Sequence, residues 1–307
     1  MQGVSSIMSW RTVVITQHSK VSASGHCLVV QTEAELNRIP ITDIQVLLIS
    51  TTRAVITSAA VSELAKNQTK IIFTDTKGEP ITETLDYAPN NRNLQLLNNQ
   101  FNWAKERKQT LWTTIIQQKI QNQITAVSFF NKEVTDLSSE LQQMQYNDES
   151  NREAVVARKY FMQLFDDQFA RRDGDIINTA LNYGYSLILS ACNREIVVAG
   201  YLTQLGIHHH SNENQFNLGS DLMEPFRPFV DVWVREQNFN ALSPDVKFGL
   251  IDLLNLEIIF NNQHIILRNA ITRYVKNCLN YLDGTNDEMT IEVKFNEVSN
   301  HEINGNV

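Results

Sequence analysis

Apolar residues cluster in short β-rich runs in the first third of the chain and recur at helical spacing in the remainder. Ser, Gly, Asp and Pro turns separate the short runs, and one amphipathic helix over Ser58–Lys66 is predicted among them. We therefore expect residues 1–90 to form a small β-rich domain. The predicted strands are Thr12–Ile15, Cys27–Val30, Ile44–Ile49 and Lys70–Phe73.

Helical spacing of apolar residues continues from Leu94 to about Leu282, so residues 91–283 are predicted to form an all-helical domain. Ser243 followed by Pro244 has the pattern of a helix start, with Ser as N-cap and Pro in the first turn. The fold class is therefore α+β, and the polar residues 284–307 are expected to be a mobile tail. The predicted helices are Phe101–Gln123, Glu153–Phe169, Asn178–Leu202, Asp245–Phe260 and Gln263–Leu282.

The composition is that of an ordinary globular protein, with 42% hydrophobic and 20% charged residues among 307. This length exceeds the usual single core and favours two domains. A net charge of -8 restricts any nucleic-acid site to a local basic patch. Three widely spaced cysteines argue against a disulfide framework. Without a secretory signal or an unbroken apolar span, a cytoplasmic location away from membranes is expected.

A run of three histidines, His208–His210, follows Gly206 and is the first candidate for metal chemistry. Imidazole nitrogen is a common metal ligand. The alternative is a solvated loop that follows a helix stop at Gly206. Zinc bound through all three histidines is the weaker metal hypothesis, since structural zinc requires four closed N or S ligands.

Carboxylates follow the histidines within a short distance. Glu224 precedes Pro225, so it is expected on a defined turn at the entrance of a helix. Asp221 is expected to be a second ligand or an outer partner of a histidine, and spacing does not separate these two roles. One imidazole with carboxylates suits Mg²⁺ or Mn²⁺.

Glu153 shares a predicted helix stripe with Ala157, Tyr160 and Leu164, the side expected to face the core. A carboxylate there requires a base or a metal as partner, because an unpaired buried charge is costly. The alternative is a glutamate that complements the helix dipole or pairs with a neighbouring arginine.

Short basic groups in the helical region are candidates for DNA contacts if they converge on the metal site. The alternative for each is a solvated helix face. The candidates are Arg158, Arg171, Arg172 and Arg227.

Five short motifs in this order resemble the CRISPR-associated adaptation integrases, the Cas-one family, of the kind found with type II systems. The resemblance covers about residues 9–282. The motifs are Trp10–Val14 with His18–Lys20, Glu153–Ala154 with Ala157–Phe161, Arg171–Asp173 leading to Leu181–Tyr185, Leu205–His209, and Asp221–Pro228.

The resemblance implies a metal-dependent DNA endonuclease and integrase that inserts spacer DNA into a CRISPR array. It implies Glu153, His209 and Glu224 as metal ligands, with Asp221 beside them. His209 is selected from the three histidines because the family histidine follows Leu-Gly and two further residues. It also implies a homodimer joined through residues 1–90, a catalytic domain at 91–283, and assembly with a Cas-two dimer, double-stranded DNA and other type II proteins.

Two other functions fit the same residues. One is a stand-alone metal-dependent nuclease that processes branched DNA, and strand transfer would distinguish it from an integrase. The other is a catalytically idle DNA-binding scaffold subunit, although such a subunit has no physical reason to keep all three ligand types.

Overall fold

The computed structural model of the chain describes residues 11–76, 80–84 and 94–296. The chain divides between residues 89 and 90 into two compact units. The first unit is β-rich and the second is mainly helical, which together make a mixed α+β fold. Trp10 of the first motif lies outside the described residues.

The described residues of the first unit form two four-stranded sheets, one α-helix and a short 3-10 turn at Ile41–Asp43. Its sheet orders are β1-β5-β7-β8 and β4-β3-β2-β6. Thr57 caps the helix by accepting a hydrogen bond from the Ala60 amide. The elements are β1 (Arg11–Ile15), β2 (Lys20–Ser24), β3 (Cys27–Gln31), β4 (Leu36–Pro40), β5 (Ile44–Ile49), β6 (Val55–Ile56), α1 (Ser58–Lys66), β7 (Lys70–Thr74) and β8 (Pro80–Glu83).

Branched aliphatic side chains from both sheets and α1 form the core of this unit. Val21, Leu28, Leu47, Leu64 and Ile71 are each completely buried. In the first sheet β1, β5 and β7 are parallel, and β8 pairs antiparallel with β7. The four predicted strands and the predicted helix are confirmed.

The second unit is organised around two long helices, α3 and α6, which contact most of its other elements. Gly184 in α6 permits close approach of α8, because a Cβ there would collide with Val230. The elements are α2 (Leu94–Phe101), α3 (Lys105–Phe129), α4 (Thr135–Gln142), α5 (Arg152–Leu164), α6 (Ile176–Val198), α7 (Asn217–Leu222), α8 (Arg227–Glu236), α9 (Pro244–Asp252), β9 (Glu257–Phe260), β10 (Gln263–Ile266), α10 (Leu267–Leu282) and β11 (Val293–Phe295).

The expectation of an all-helical second unit is wrong at its C-terminal end. β10, β9 and β11 form a three-stranded antiparallel sheet. The last residues of the helix predicted over 245–260 form β9, and the first residues of the helix predicted over 263–282 form β10. Asn261 and Asn262 both adopt positive φ, which makes the turn of the hairpin. Short isoleucine-rich runs are compatible with both helical and strand periodicity. The tight turn at Asn261 and Asn262 favours two antiparallel strands here.

The expected mobile tail is also wrong for its first part. β11 pairs with β9, and the Gln118 side chain of α3 bonds both the amide and the carbonyl of Val293. Residues 297–307 of the expected tail lie outside the described residues. Across the described part of the chain, no helix is both long enough and apolar enough to cross a membrane.

Candidate metal centre

Helix α3 carries polar residues on its buried face at the centre of the second unit. Trp112, Ile116, Lys119 and Gln123 follow the i, i+4, i+7, i+11 spacing of one helical face, and all four are buried. A lysine in this position requires partners, since burying an unpaired ammonium is costly.

Glu153 and Glu224 both contact Lys119. The Lys119 Nζ atom lies 2.5 Å from Glu153 Oε1 and 2.5 Å from Glu224 Oε2. Lys119 reaches them from α3, Glu153 from the first turn of α5, and Glu224 from the turn before α8. Two glutamates that are distant in the sequence therefore meet around one positive charge.

Asp148 fixes the start of α5 and with it the position of Glu153. Its carboxylate accepts hydrogen bonds from the amides of Arg152 and Glu153, at 2.7 and 3.1 Å. Asn147 and Asp148 have positive φ, a conformation that Asn and Asp adopt more readily than most residues. The chain therefore enters α5 with its acidic first turn directed at Lys119.

Glu224 lies in a 3-10 turn, Glu224–Phe226, and is 4% exposed. Asn122, also on α3, donates a hydrogen bond of 2.9 Å to the carbonyl of Pro225 and so ties this turn to α3. Arg227 Nη1 lies 3.0 Å from Glu224 Oε1. Burial alone would raise the pKa of Glu224, but the charges of Arg227 and Lys119 outweigh it and lower the pKa to about 2.

His209 is oriented by Asp221, which is fully buried. Asp221 accepts hydrogen bonds from the amides of Ile207, His208 and His209 at 2.7, 3.1 and 3.1 Å, and His209 Nδ1 lies 2.6 Å from it. Since the carboxylate accepts, Nδ1 carries the proton and Nε2 is left as the open ring nitrogen. The hydrogen bond to Asp221 raises the pKa of His209.

Gly206 is required for this arrangement, because a Cβ at that position would come within 2.7 Å of Asp221 Oδ2. The loop therefore wraps closely around one carboxylate. Asp221 has the position of a partner that orients His209.

Trp112 of α3 packs against the histidine loop. Its ring stacks on His208 with centroids 4.1 Å apart and planes 7° from parallel, and it meets the edge of His209 at 5.8 Å. Burial lowers the pKa of His208. His208 therefore packs one face of its ring on Trp112, and both His208 and His209 are exposed to solvent, the His209 side chain by 44%.

The donor set fits a divalent cation that prefers oxygen with one nitrogen. Glu224 Oε2 is buried and accepts no hydrogen bond from the described residues, since Lys119 approaches it outside hydrogen-bonding geometry. With Lys119 between the two carboxylates, no three His, Cys, Asp or Glu side chains among the described residues lie close enough together to hold a metal. Glu153 and Glu224 are brought together, and their charges act on His209.

The four arginine candidates divide into two pairs. Arg171 and Arg227 lie near the ring of Tyr185, with guanidinium carbons 5.4 and 4.2 Å from its centroid. Arg158 and Arg172 are exposed. Two of the four therefore meet at Tyr185, and one of these, Arg227, also contacts Glu224. The other two are exposed to solvent.

A second buried carboxylate lies one helix turn beyond this arginine cluster. Asp231 of α8 is 1% exposed and accepts hydrogen bonds from the hydroxyls of Tyr160, at 2.9 Å, and Tyr185. Burial raises the pKa of Asp231 to about 6 against the lowering effect of these hydroxyls and of Arg227. Sequence reasoning missed Asp231 together with Lys119, Asn122, Trp112 and Asp148. The sequence signal for Lys119 was its position on the apolar face of α3, in line with Trp112 and Ile116, which indicates a buried lysine.

The sequence also matches a family of known proteins. The sequence profile described as "CRISPR associated protein Cas1" matches residues 12–238. The "CRISPR-associated endonuclease Cas1" of Neisseria meningitidis serogroup C (strain 8013) is 33% identical over 301 residues, which cover 95% of this chain and 97% of the relative. The chain belongs to the Cas1 family.

Solved structures share the fold. A casposase bound to an integration product superposes with a TM-score of 0.74 at 21% identity, covering 91% of this chain and 92% of that one. A Cas6-RT-Cas1–Cas2 complex gives a TM-score of 0.73 at 16% identity, covering 93% of this chain and 36% of that one. At these identities the likeness establishes the arrangement of elements.

Proposed function

We propose that this chain is a metal-dependent DNA endonuclease and integrase of CRISPR adaptation that inserts spacer DNA into a CRISPR array. The observation that carries the proposal is the convergence of Glu153 and Glu224 on one cationic position, with His209 oriented nearby. Membership of the Cas1 family supports it. The casposase with the same fold, described as bound to an integration product, supports strand joining.

Glu153, Glu224 and Nε2 of His209 would hold Mg²⁺ or Mn²⁺. When bound, the ion supplies polarisation of the phosphodiester and stabilisation of developing negative charge. Arg227 keeps Glu224 ionised, and Asp221 keeps the proton on Nδ1 of His209, so the lone pair of Nε2 is available to a metal. Both conditions are needed because ligands bind in their deprotonated form.

The reaction is in-line attack by a spacer 3′-hydroxyl on a phosphodiester at the repeat boundary. A new P–O bond forms to the spacer, and the bond to the displaced 3′ oxygen breaks. With water as the nucleophile, the same chemistry cuts DNA. We assign neutralisation of the reacting phosphate to Arg227 or Arg158, and contacts with the DNA backbone to Arg171 and Arg172.

The assembly we propose is a homodimer joined through the β-rich unit at residues 1–90, with catalysis in residues 91–283. Two such dimers would bind a central Cas2 dimer and double-stranded DNA, in the cytoplasm and with other type II proteins. The Cas6-RT-Cas1–Cas2 complex, in which a chain of this fold is combined with Cas2, supports that partner.

The test is transfer of a short labelled duplex into a supercoiled repeat-containing plasmid, with Mg²⁺ or Mn²⁺ and the cognate Cas2 protein. Metal-dependent joining by wild type that Glu224→Ala abolishes is the expected result. Cleavage without joining would instead indicate a nuclease of branched DNA. No metal-dependent reaction would indicate a scaffold subunit.

A further inference from the structure

Lys119 occupies the centre of the proposed metal site. Its side chain is 6% exposed, and its Nζ atom lies at the same distance, 2.5 Å, from an oxygen of Glu153 and an oxygen of Glu224. These two side chains are the carboxylate ligands of the proposed function. The ammonium therefore lies where their negative charges converge.

An ammonium and a divalent ion cannot both be held between these oxygens. Mg²⁺ binds carboxylate oxygen at about 2.0–2.1 Å and requires a nearly regular shell of oxygen ligands. A lysine ammonium donates hydrogen bonds and has no lone pair to offer a metal. Like charges at this separation also repel strongly in a buried site.

The contacts of Lys119 allow it to leave. It donates a hydrogen bond to Glu153, but its contact with Glu224 Oε2 is ionic and outside hydrogen-bonding geometry. The ammonium is carried on a flexible four-carbon stem, which can move the charge without moving the helix. The backbone of α3 is held separately, by Asn122 on Pro225 and by Gln118 on Val293.

We propose that Lys119 is a tethered cation that holds Glu153 and Glu224 together when no divalent ion is bound and withdraws when the ion enters. This inference rests on the proposed function, because it takes these two glutamates as ligands. Lys119 is a positioning residue here. Its ammonium holds the two carboxylates adjacent, and divalent ions must displace it to bind.

Competition gives substitutions at Lys119 predictable and opposite effects. Lys119→Met removes the competitor, so Mn²⁺ should bind about 10-fold more tightly or better. Lys119→Arg puts a guanidinium against the carboxylates, where two parallel hydrogen bonds resist displacement, so Mn²⁺ should bind several-fold more weakly. Without metal, Lys119→Met should unfold at a lower temperature, because Glu153 loses its hydrogen bond to Lys119 and the buried Glu224 loses one of its two cations.

The experiment is a Mn²⁺ titration of the full chain followed by the electron paramagnetic resonance signal of free Mn²⁺. Thermal unfolding in EDTA and in saturating Mn²⁺ is measured in parallel. Lys70→Met is the matched control, because Lys70 is also buried and lies 3.6 Å from Glu83 in the β-rich unit. This control should lower the unfolding temperature and leave Mn²⁺ affinity unchanged.

Tighter Mn²⁺ binding by Lys119→Met, with a larger rise in unfolding temperature on adding Mn²⁺ than wild type shows, supports the proposal. Unchanged or weaker binding overturns it. If Lys119→Met does not fold, Lys119→Arg decides, and affinity equal to or tighter than wild type overturns the proposal.

Glu224→Gln separates failure of this inference from failure of the proposed function. If wild type binds Mn²⁺, Glu224→Gln loses that binding and Lys119→Met leaves it unchanged, only the role of Lys119 is overturned. If neither wild type nor Lys119→Met binds Mn²⁺, the metal site itself is overturned, and the inference with it.

Discussion

Glu224 and Asp231 are two buried carboxylates close together in the sequence, and their pKa values are shifted in opposite directions. Both are almost inaccessible, at 4% and 1% exposure. Two cations, Arg227 and Lys119, lower the pKa of Glu224 to about 2 despite its burial. Asp231 is bonded by two tyrosine hydroxyls, and burial raises its pKa to about 6.

Burial therefore does not decide which carboxylate is ready to bind a metal. The charge of the neighbours decides, because opposite charges stabilise the ionised form, whereas hydroxyl donors only partly offset desolvation. Glu224 is therefore held in its ionised form by neighbouring cations, whereas Asp231 is a structural link between α5, α6 and α8. Substitutions that remove charge while keeping shape test this distinction.

The largest expected effect is on strand transfer. Glu224→Gln should reduce metal-dependent joining by more than about 100-fold, because even outer-shell changes at metal sites lower activity 10–100-fold. Asp231→Asn should retain joining, because its carboxylate contacts tyrosines and no proposed ligand. Initial rates for both variants at saturating Mn²⁺ measure the difference. Equal losses in the two variants would show that the two regions work as one.

A third buried carboxylate, Asp221, extends the comparison, because backbone amides surround it. Asp221→Asn puts an amide donor against the amides of Ile207 and His208, so at least one buried donor loses its acceptor, at about 1–3 kcal/mol. Mn²⁺ affinity should fall about 10–100-fold as His209 loses its orientation. Mn²⁺ titration with thermal unfolding measures both, and unchanged values in both would refute the role assigned to Asp221.

The sequence predicts well where one periodicity applies. Residues of α1 show a single amphipathic face, and Ser243 before Pro244 is a helix start that the structure confirms through its bond to the Val246 amide. The short strands β2, β4, β6 and β8 were not predicted. In β4 the pattern is almost entirely exposed, so no apolar alternation marks it.

The sequence points to only part of the proposed site. The resemblance to the family implies Glu153, His209 and Glu224 as ligands, whereas Lys119 lies within a predicted helix and belongs to no motif. A charged residue on a helix is usually solvated. Its partners lie 34 and 105 residues away along the chain, a pairing that local spacing cannot reveal. The structural role of Asp221 likewise depends on a loop closing around it.

A smaller effect is expected in the pH dependence of stability. An aspartate in the unfolded chain has a pKa of about 3.9, and that of Asp231 in the folded chain is raised to about 6. The folded state therefore holds a proton that the unfolded state has lost, and this contribution of up to about 3 kcal/mol disappears as pH rises through 6.

Asp231→Asn has no such proton to lose. The unfolding temperature of wild type minus that of Asp231→Asn should therefore fall between pH 4 and pH 7. Thermal unfolding of both proteins across this range in EDTA gives the difference. A flat or rising difference would mean that the tyrosine hydroxyls and Arg227 fully compensate the burial of Asp231.

The smallest effect concerns DNA affinity and separates paired from unpaired arginines. The charge of Arg227 is already matched by Glu224, at 3.0 Å, whereas Arg172 is exposed. Each phosphate contact contributes about 0.9 to the slope of log affinity against log salt concentration. Arg172→Ala should therefore lower the slope by about that amount if Arg172 binds the DNA backbone.

Arg227→Met should leave the slope unchanged in EDTA. The charge of Arg227 is already neutralised by Glu224, so this arginine displaces no counterion from the DNA. Fluorescence anisotropy of a labelled duplex at several salt concentrations measures both. The opposite pattern would mean that Arg227 leaves Glu224 to contact DNA, and the low pKa of Glu224 would then depend on Lys119 alone.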